Sequence, residues 1–452
     1  MSSPIFTRPT PILTMADGTV KQVNPFSGTQ VWTVPGRGNR PLSKPAVNVV
    51  KLNDADHAAA CAFCSDRNLE TPPEKARVIA RSVAEAAGIE ADSLTDDYVL
   101  ARRQTIEQQV TGYEFRRVSN LFEIVTFEYW EANYGYQPDA ITSEWMDAYL
   151  ASPQGRAHVI NTVRTKRTAA GLDPNGAEEV LLAGATAFFA GGHDLIIGAR
   201  HYTPGATTSD QLASSGTLSV AEHEALMAFT IDSMHDLYQR NRYAPYVAVF
   251  QNWLKPAGAS FDHLHKQLVA IDERGVQAEM EIARLRSNPN MYNEWAVDYA
   301  ASHNLIIAEN DHAVLFAGFG HRYPTLEIFS KSPTAEPWKQ TPEEIRGMSD
   351  LVHAAHAATG PDVPCNEEWH HKPADLDMPM PWRIMLKWRV SNLAGFEGGT
   401  KIYLNTLSPW NIRDRIVSTM YKLRDAGLIA DTLRIATECE VKRNSLKYNP
   451  FL

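Results

Sequence analysis

Residues 258–272 read GASFDHLHKQLVAID. His263 and His265 stand one residue apart, Gln267 follows, and the segment runs on into the apolar LVAI. Such a composition predicts a strand, in which alternate side chains point the same way. His263, His265 and Gln267 then share one face, and Leu264 and Lys266 the other. An imidazole is a competent nucleophile near neutral pH because a useful fraction of it is uncharged. A glutamine amide donates to a phosphoryl oxygen without adding charge. Three such groups on one rigid element suit a reaction at phosphorus. The competing reading is a solvated strand face with two incidental histidines. Just upstream, QNWLKPAGAS supplies Asn252, Gly258 and Ser260. These small and polar residues let backbone and hydroxyl groups come close to a phosphate; the alternative is a plain loop.

Two further clusters carry chemistry. Cys61 and Cys64 form CAFC. Two thiolates at that spacing fill two corners of a tetrahedral zinc site, which needs two more ligands. The candidates are His201, in GARHYTP, and His263. A buried, reduced cysteine pair is the alternative. In PGRGNRP, Arg37 and Arg40 flank a glycine turn. Guanidinium forks suit phosphate oxygens, although two solvated loop arginines is the commoner case.

Composition sets the outer bounds. The 452 residues have room for two ordinary domains or one large duplicated one, and 44% apolar with 21% charged residues is ordinary globular usage. A net charge of −10 argues against a general nucleic-acid binder. The first residues show no signal-peptide core, and no apolar run is long enough to span a membrane. A cytoplasmic location is the expectation. Four cysteines are too few for a disulfide framework.

The chain divides by pattern. Residues 1–73 hold strand and turn material, the arginine loop and CAFC. Residues 74–190 read as mainly helical, with PPEKARVIARSVAEAAG opening a helix at its prolines and a core strand near 115–130. From residue 191 to 290 a strand (HDLIIG), a helix with the capping box of Ser219 and Glu222, and the strands PYVAVFQNW and HLHKQLVAI follow in order. Residues 291–452 repeat that order with DHAVLFAGFGHRYPTLEIFSKS, the helix TPEEIRGMSDLVHAAHAA and the strand PWRIMLKWRV. The expected fold class is α+β, two pseudo-symmetric units with antiparallel sheets and packed helices, plus a large helical insertion.

Together the segments resemble the galactose-1-phosphate uridylyltransferase-like branch of the histidine-triad superfamily, over nearly the whole chain and in the right order. NPFSGTQVWTVPGRGNRP, CAFC, RRVSNLF, HDLIIGARHYTP, FQNWLKPAGASFDHLHKQ and AGFEGGTKIYLN carry the likeness. The resemblance implies that both repeated units are histidine-triad-like. His265 would be the nucleophile that takes up a nucleoside monophosphate, and Gln267 would orient and stabilise the adduct. His263 would complete a structural zinc site with Cys61, Cys64 and His201. Arg37, Arg40, Asn120, Asn252, Gly258 and Ser260 would hold the nucleotide, and Glu397 would contribute to sugar or phosphate binding. The implied reaction moves a nucleoside monophosphate from a nucleotide sugar or dinucleotide to a phosphate-bearing acceptor. The alternatives are phosphorolysis or hydrolysis by the same superfamily, or nucleotide binding without catalysis. The family's habit suggests a homodimer.

Three departures stand out. Leu264 and Lys266 occupy positions where the family usually has proline. The last strand of the second half, PWRIMLKWR, lacks the second His-x-His of the transferases. Glu281 and His370 are at most remnants of a second metal site.

Overall fold

The computed structural model describes residues 10–36, 48–109 and 112–451. Among them, thirteen strands form one sheet whose pairings are all antiparallel. At its centre, Tyr246–Trp253 of the first half pairs with Cys365–His370 of the second. Outward from that seam the first half runs His265–Ile271, His193–Gly198, Tyr113–Ser119, then Glu74–Ala80. The second half runs Arg383–Trp388, Thr325–Ser330, Ala313–Ala317, then Ile306–Glu309. Each half builds its seam strand after a long helix, Val220–Arg240 in one and Pro342–Thr359 in the other. The strand bearing His265 thus corresponds to the strand bearing Arg383. This is the expected repeat, closed into one sheet.

Both helices begin as the residues require. Ser219 Oγ accepts from the Glu222 N–H, and Thr341 Oγ1 accepts from the Glu344 N–H, while each glutamate answers the cap residue's own amide. Both helices cover the same face of the sheet and pack on each other through one continuous apolar core that includes Leu226, Phe229, Leu268, Leu351 and Leu386. Burying that many aliphatic side chains is the main stabilising term. A separate four-stranded sheet holds Ile12–Thr14, Val20–Val23, Gln30–Thr33 and Ile402–Leu404. Its last pairing is parallel and ties residues near the arginine loop to the C-terminal half.

The segment 74–190 departs from expectation. Glu74–Ala80 is a strand of the main sheet, and helix begins only at Arg81. Lys75 and Arg77, in the stretch expected to open a helix, are both buried. Lys75 Nζ meets Asp194 Oδ1 at 2.6 Å, and Arg77 meets Glu74 at 2.8 Å. Paired internally, these charges allow the period-two pattern of a strand to win. The strand expected near 115–130 is Tyr113–Ser119; Thr126 then caps the helix Phe127–Tyr134. Asp92–Ser93 and Tyr98–Arg102 add two further strands, so the segment extends the sheet besides carrying helices at 127–190.

Candidate active site and metal site

The strand His265–Ile271 lies between Tyr246–Trp253 and His193–Gly198. On its helix-covered face, Leu264 joins the core and Lys266 is fully buried. Lys266 Nζ pairs with Glu367 Oε1, and His356 Nε2 and Trp369 Nε1 complete the carboxylate's shell at 2.7 and 2.6 Å. Against the upward push of burial, Lys266 and His356 hold Glu367 well below the usual carboxylate range. The lysine that departs from the family pattern is therefore a tie between the two halves.

The opposite face carries His265 and Gln267. His265 is 5% exposed. Its Nδ1–H donates to the His263 carbonyl at 2.8 Å. This fixes the tautomer and leaves Nε2 with its lone pair. Burial lowers the His265 pKa, against the His263 carbonyl, which favours the protonated ring. The imidazole is thus neutral at neutral pH. The Phe63 ring stands edge-on to His265, with centroids 5.3 Å apart.

A residue that the sequence reading passed over orients Gln267. His193 Nδ1 accepts the Ile124 backbone N–H at 3.0 Å, so its proton sits on Nε2. That N–H donates to Gln267 Oε1 at 3.1 Å. The Gln267 NH2 group is then directed away from His193 and remains a free donor. Asn120 Oδ1 accepts from the Phe122 N–H, and its NH2 lies 3.1 Å from the same His193 nitrogen. Two donors face each other there, which leaves the Asn120 NH2 without an acceptor among the described residues. The signal for His193 was its place in HDLIIG, on the strand beside Gln267 and of the same parity.

Asn252 stands opposite His265 when the register Gln267↔Phe250 is continued. Its Oδ1 accepts from Asn366 Nδ2 at 2.7 Å, so its own NH2 is free. Gly258 follows with φ +93°, and a Cβ built there meets only Asn252 Nδ2, at 3.9 Å. The glycine opens the turn beside the asparagine. Ser260 is exposed. Glu397 is engaged elsewhere: its carboxylate accepts from the Ala394 and Leu404 amides at 2.8 and 3.2 Å, closing its own segment. Arg37 and Arg40 lie outside the described residues.

Cys61, Cys64, His201 and His263 bring one ligand atom each to within 4.8 Å of the others. The Sγ–Sγ separation is 3.8 Å, the Nδ1–Nδ1 separation 3.3 Å, and Cys61 Sγ–His263 Nδ1 and Cys64 Sγ–His201 Nδ1 are each 3.5 Å. A tetrahedron with metal–sulfur and metal–nitrogen bonds of zinc length has edges of about 3.8, 3.4 and 3.5 Å for these pairs. The donor set therefore fits a four-coordinate structural metal. His263 Nε2–H donates to the Gly198 carbonyl at 2.7 Å, which aims Nδ1 at the site. Amides of Phe63 and Cys61 point at the two sulfurs at 3.4 Å. Chiefly through its hydrogen bond with Cys61, Cys64 is held well below the ordinary thiol range, whereas Cys61 is raised. Because Phe63 lies between the two cysteines, the clip also seats the ring that packs on His265.

The second half holds no such group: among the described residues this is the one cluster of three or more potential ligands. Glu281 instead receives Arg383 Nη2 on both oxygens at 2.6 and 2.7 Å, and the Tyr292 hydroxyl at 2.9 Å. His370 Nε2 is 3.8 Å from Glu368. A guanidinium is carried by the strand that corresponds in the repeat to the one bearing His265. No helix among the described residues is long and apolar enough to cross a membrane.

An ADP-glucose phosphorylase of Arabidopsis thaliana is 26% identical over 179 residues, 37% of this chain and 50% of the relative, so the chain matches half the length of that curated protein. A solved structure of an ADP-glucose phosphorylase from Arabidopsis thaliana with bound ADP-glucose has a TM-score of 0.57 at 16% identity, covering 88% of this chain and 98% of that one. A galt-like protein from Arabidopsis thaliana gives 0.53 at 16% identity with the same coverage of 88% and 98%. The chain shares the fold of these two structures. The model of a family described as a domain of unknown function, DUF4921, matches residues 15–448, and the chain belongs to that family.

Proposed function

We propose that the protein transfers a nucleoside monophosphate from a nucleotide sugar to a phosphate-bearing acceptor through a nucleotidyl group on His265. The observation that carries this reading is the pairing of a fixed, unprotonated His265 Nε2 with a Gln267 amide whose donor end is turned outward. His265 Nε2 attacks the α-phosphorus in line. The N–P bond forms, and the bond to the bridging oxygen breaks with its electron pair leaving on the sugar phosphate. In the second half-reaction an acceptor phosphate oxygen attacks, and the electron pair of the N–P bond returns to Nε2. Gln267 donates to an equatorial oxygen in both steps, and the Asn120 and Asn252 amides are placed for further phosphate or ribose contacts. Positioning and fixed donors carry most of such a transfer. The relatives named for ADP-glucose phosphorolysis favour an adenylyl donor and inorganic phosphate as the acceptor.

The four-ligand site takes zinc in this reading. Four protein ligands leave it no open position, so zinc there holds the CAFC loop to the nucleophile's strand and does no chemistry. The test is incubation with ADP-glucose and UDP-glucose labelled at the α-phosphorus. An acid-labile, alkali-stable label on His265, discharged by phosphate, is the expected result. Turnover by His265→Ala at any appreciable rate overturns the mechanism.

A further inference from the structure

We infer that Arg389 and Arg322, both packed against the Tyr323 ring, form the subsite for the phosphate that leaves or attacks the His265-bound nucleotidyl group. The inference rests on the function proposed above and adds the residues that read the acceptor. Arg389 Cζ is 4.7 Å from the Tyr323 ring centroid, and Arg322 Cζ is 5.1 Å from it and 5.5 Å from that of Tyr403. Arg389 is half-buried, and its Nε is enclosed with no partner. Neither guanidinium has a carboxylate within ion-pair distance among the described residues, whereas the buried Arg117 and Arg383 are both paired. In a chain of net charge −10, two adjacent uncompensated guanidiniums are a poor arrangement unless an anion from outside meets them.

The amide geometry joins this pair to the nucleophile. Asn366 Nδ2 donates to Asn252 Oδ1 at 2.7 Å and to the Ala257 carbonyl at 2.8 Å. Its Oδ1 is thereby turned toward Arg389, which donates from Nη1 at 2.8 Å. Asn366 pairs with Asn252 across the seam, and Asn252 stands opposite His265. His265, Asn252 and Asn366 therefore form a row across three neighbouring strands. Two strand spacings separate its ends, about 10 Å. That leaves room for one phosphoryl group on His265 and a second against the guanidinium. The segment Ala394–Leu404, which Glu397 closes, brings Tyr403 under Arg322. The second half of the repeat thus supplies the acceptor side of a site whose nucleophile belongs to the first.

The test uses the full chain, ADP-glucose labelled at the α-phosphorus, and chases with inorganic phosphate, glucose 1-phosphate or water. Arg389→Gln is expected to raise the half-saturating phosphate concentration in the chase about 10- to 100-fold, the range for losing a charge-assisted hydrogen bond. Arg389→Lys, which keeps the charge but not the fork, falls between. Equal losses with inorganic phosphate and glucose 1-phosphate show that the phosphate group is what is read. A loss confined to glucose 1-phosphate, or an unchanged phosphate dependence in Arg389→Gln, overturns the inference. Should Arg389→Gln not fold, the exposed Arg322→Gln is expected to weaken phosphate severalfold, and no change there also overturns it. A wild-type protein that never acquires label on His265 refutes the proposed function instead, so the two failures are separable.

Discussion

His193 offers the sharpest test of how the site is organised. It touches Gln267, the Ile124 amide and the Asn120 side chain, and Gln267 is the group whose orientation its N–H fixes. His193→Leu removes the N–H that fixes Gln267 Oε1. The side chain then regains up to about 1.5–2 kcal/mol of rotamer freedom and loses a hydrogen bond worth about 1 kcal/mol. The sum, at most about 3 kcal/mol, corresponds to roughly 100-fold in the phosphorus step. Deleting the donor altogether sets a ceiling of about 2.7–4 kcal/mol. The assay is rapid mixing with α-labelled ADP-glucose and counting of protein-bound label. The rate at saturation should fall while the half-saturating donor concentration stays close to that of the native protein, because the Gln267 donor matters most in the transition state. A double-mutant cycle decides the matter. In a Gln267→Ala background, His193→Leu should cost less than about twofold. If it costs the same factor in both backgrounds, His193 does not act through Gln267 and the reasoning is refuted. His193→Leu also orphans the Ile124 N–H, at about 1–3 kcal/mol of stability, so the rates belong well below the melting transition.

Further outcomes follow from the same geometry. Purified protein should carry one tetrahedral metal per chain by elemental analysis, and Cys61→Ala should lose it and melt earlier, with activity lost in proportion to unfolding; a metal-free variant of full thermal stability contradicts a structural clip. Burial holds the His265 pKa below its ordinary 6.5, so nucleotidyl uptake should be flat through neutrality and fall only below about pH 6.5, as the ring protonates; an acid limb centred above 6.5 contradicts the assignment. Stability has its own acid limb: burial drives His371 down to about 3 and His353 to about 4, so the unfolded chain binds protons that the folded one refuses, and stability declines as pH drops below about 6.5. Lys266→Met strands the buried Glu367 and should cost about 3–5 kcal/mol in urea unfolding, and a loss under 1 kcal/mol would show that the tie between the halves is dispensable.

The sequence made the shared face of His265 and Gln267 and the cysteine end of the four-residue cluster legible because both are local or short-period patterns. His265 and Gln267 share parity on one strand, and Cys61 and Cys64 share one turn. The helix cap at Ser219 was legible for the same reason. What escaped notice depends on pairing between distant segments. Lys75, Arg77 and Lys266 carry charge, and charge in a linear pattern signals solvent. Only their partners, Asp194, Glu74 and Glu367, reveal that they are interior. His193 and Asn366 escaped for a related reason. Each is a single polar residue in an apolar strand, and its role is set by the neighbour that register brings beside it.

The repeat explains why one site is built from two unequal halves. In the first half the strand beside the seam carries His265; in the second the corresponding strand carries Arg383, locked on Glu281. A buried guanidinium on a carboxylate neither attacks phosphorus nor leaves a metal position open, so in the proposed reaction only the first half supplies a nucleophile. The second half is nonetheless held in register by an unbroken ladder from Cys365↔Trp253 to Glu368↔Phe250 and, on the covered face, by Lys266 on Glu367. A rigid seam of this kind lets a half without a nucleophile place Asn366 against Asn252, opposite His265. Loosening the seam should therefore impair phosphate acceptance before it impairs zinc binding, because the metal ligands all lie in the first half. A seam variant such as Lys266→Met that lost metal and kept full phosphate acceptance would separate the halves functionally and contradict this coupling.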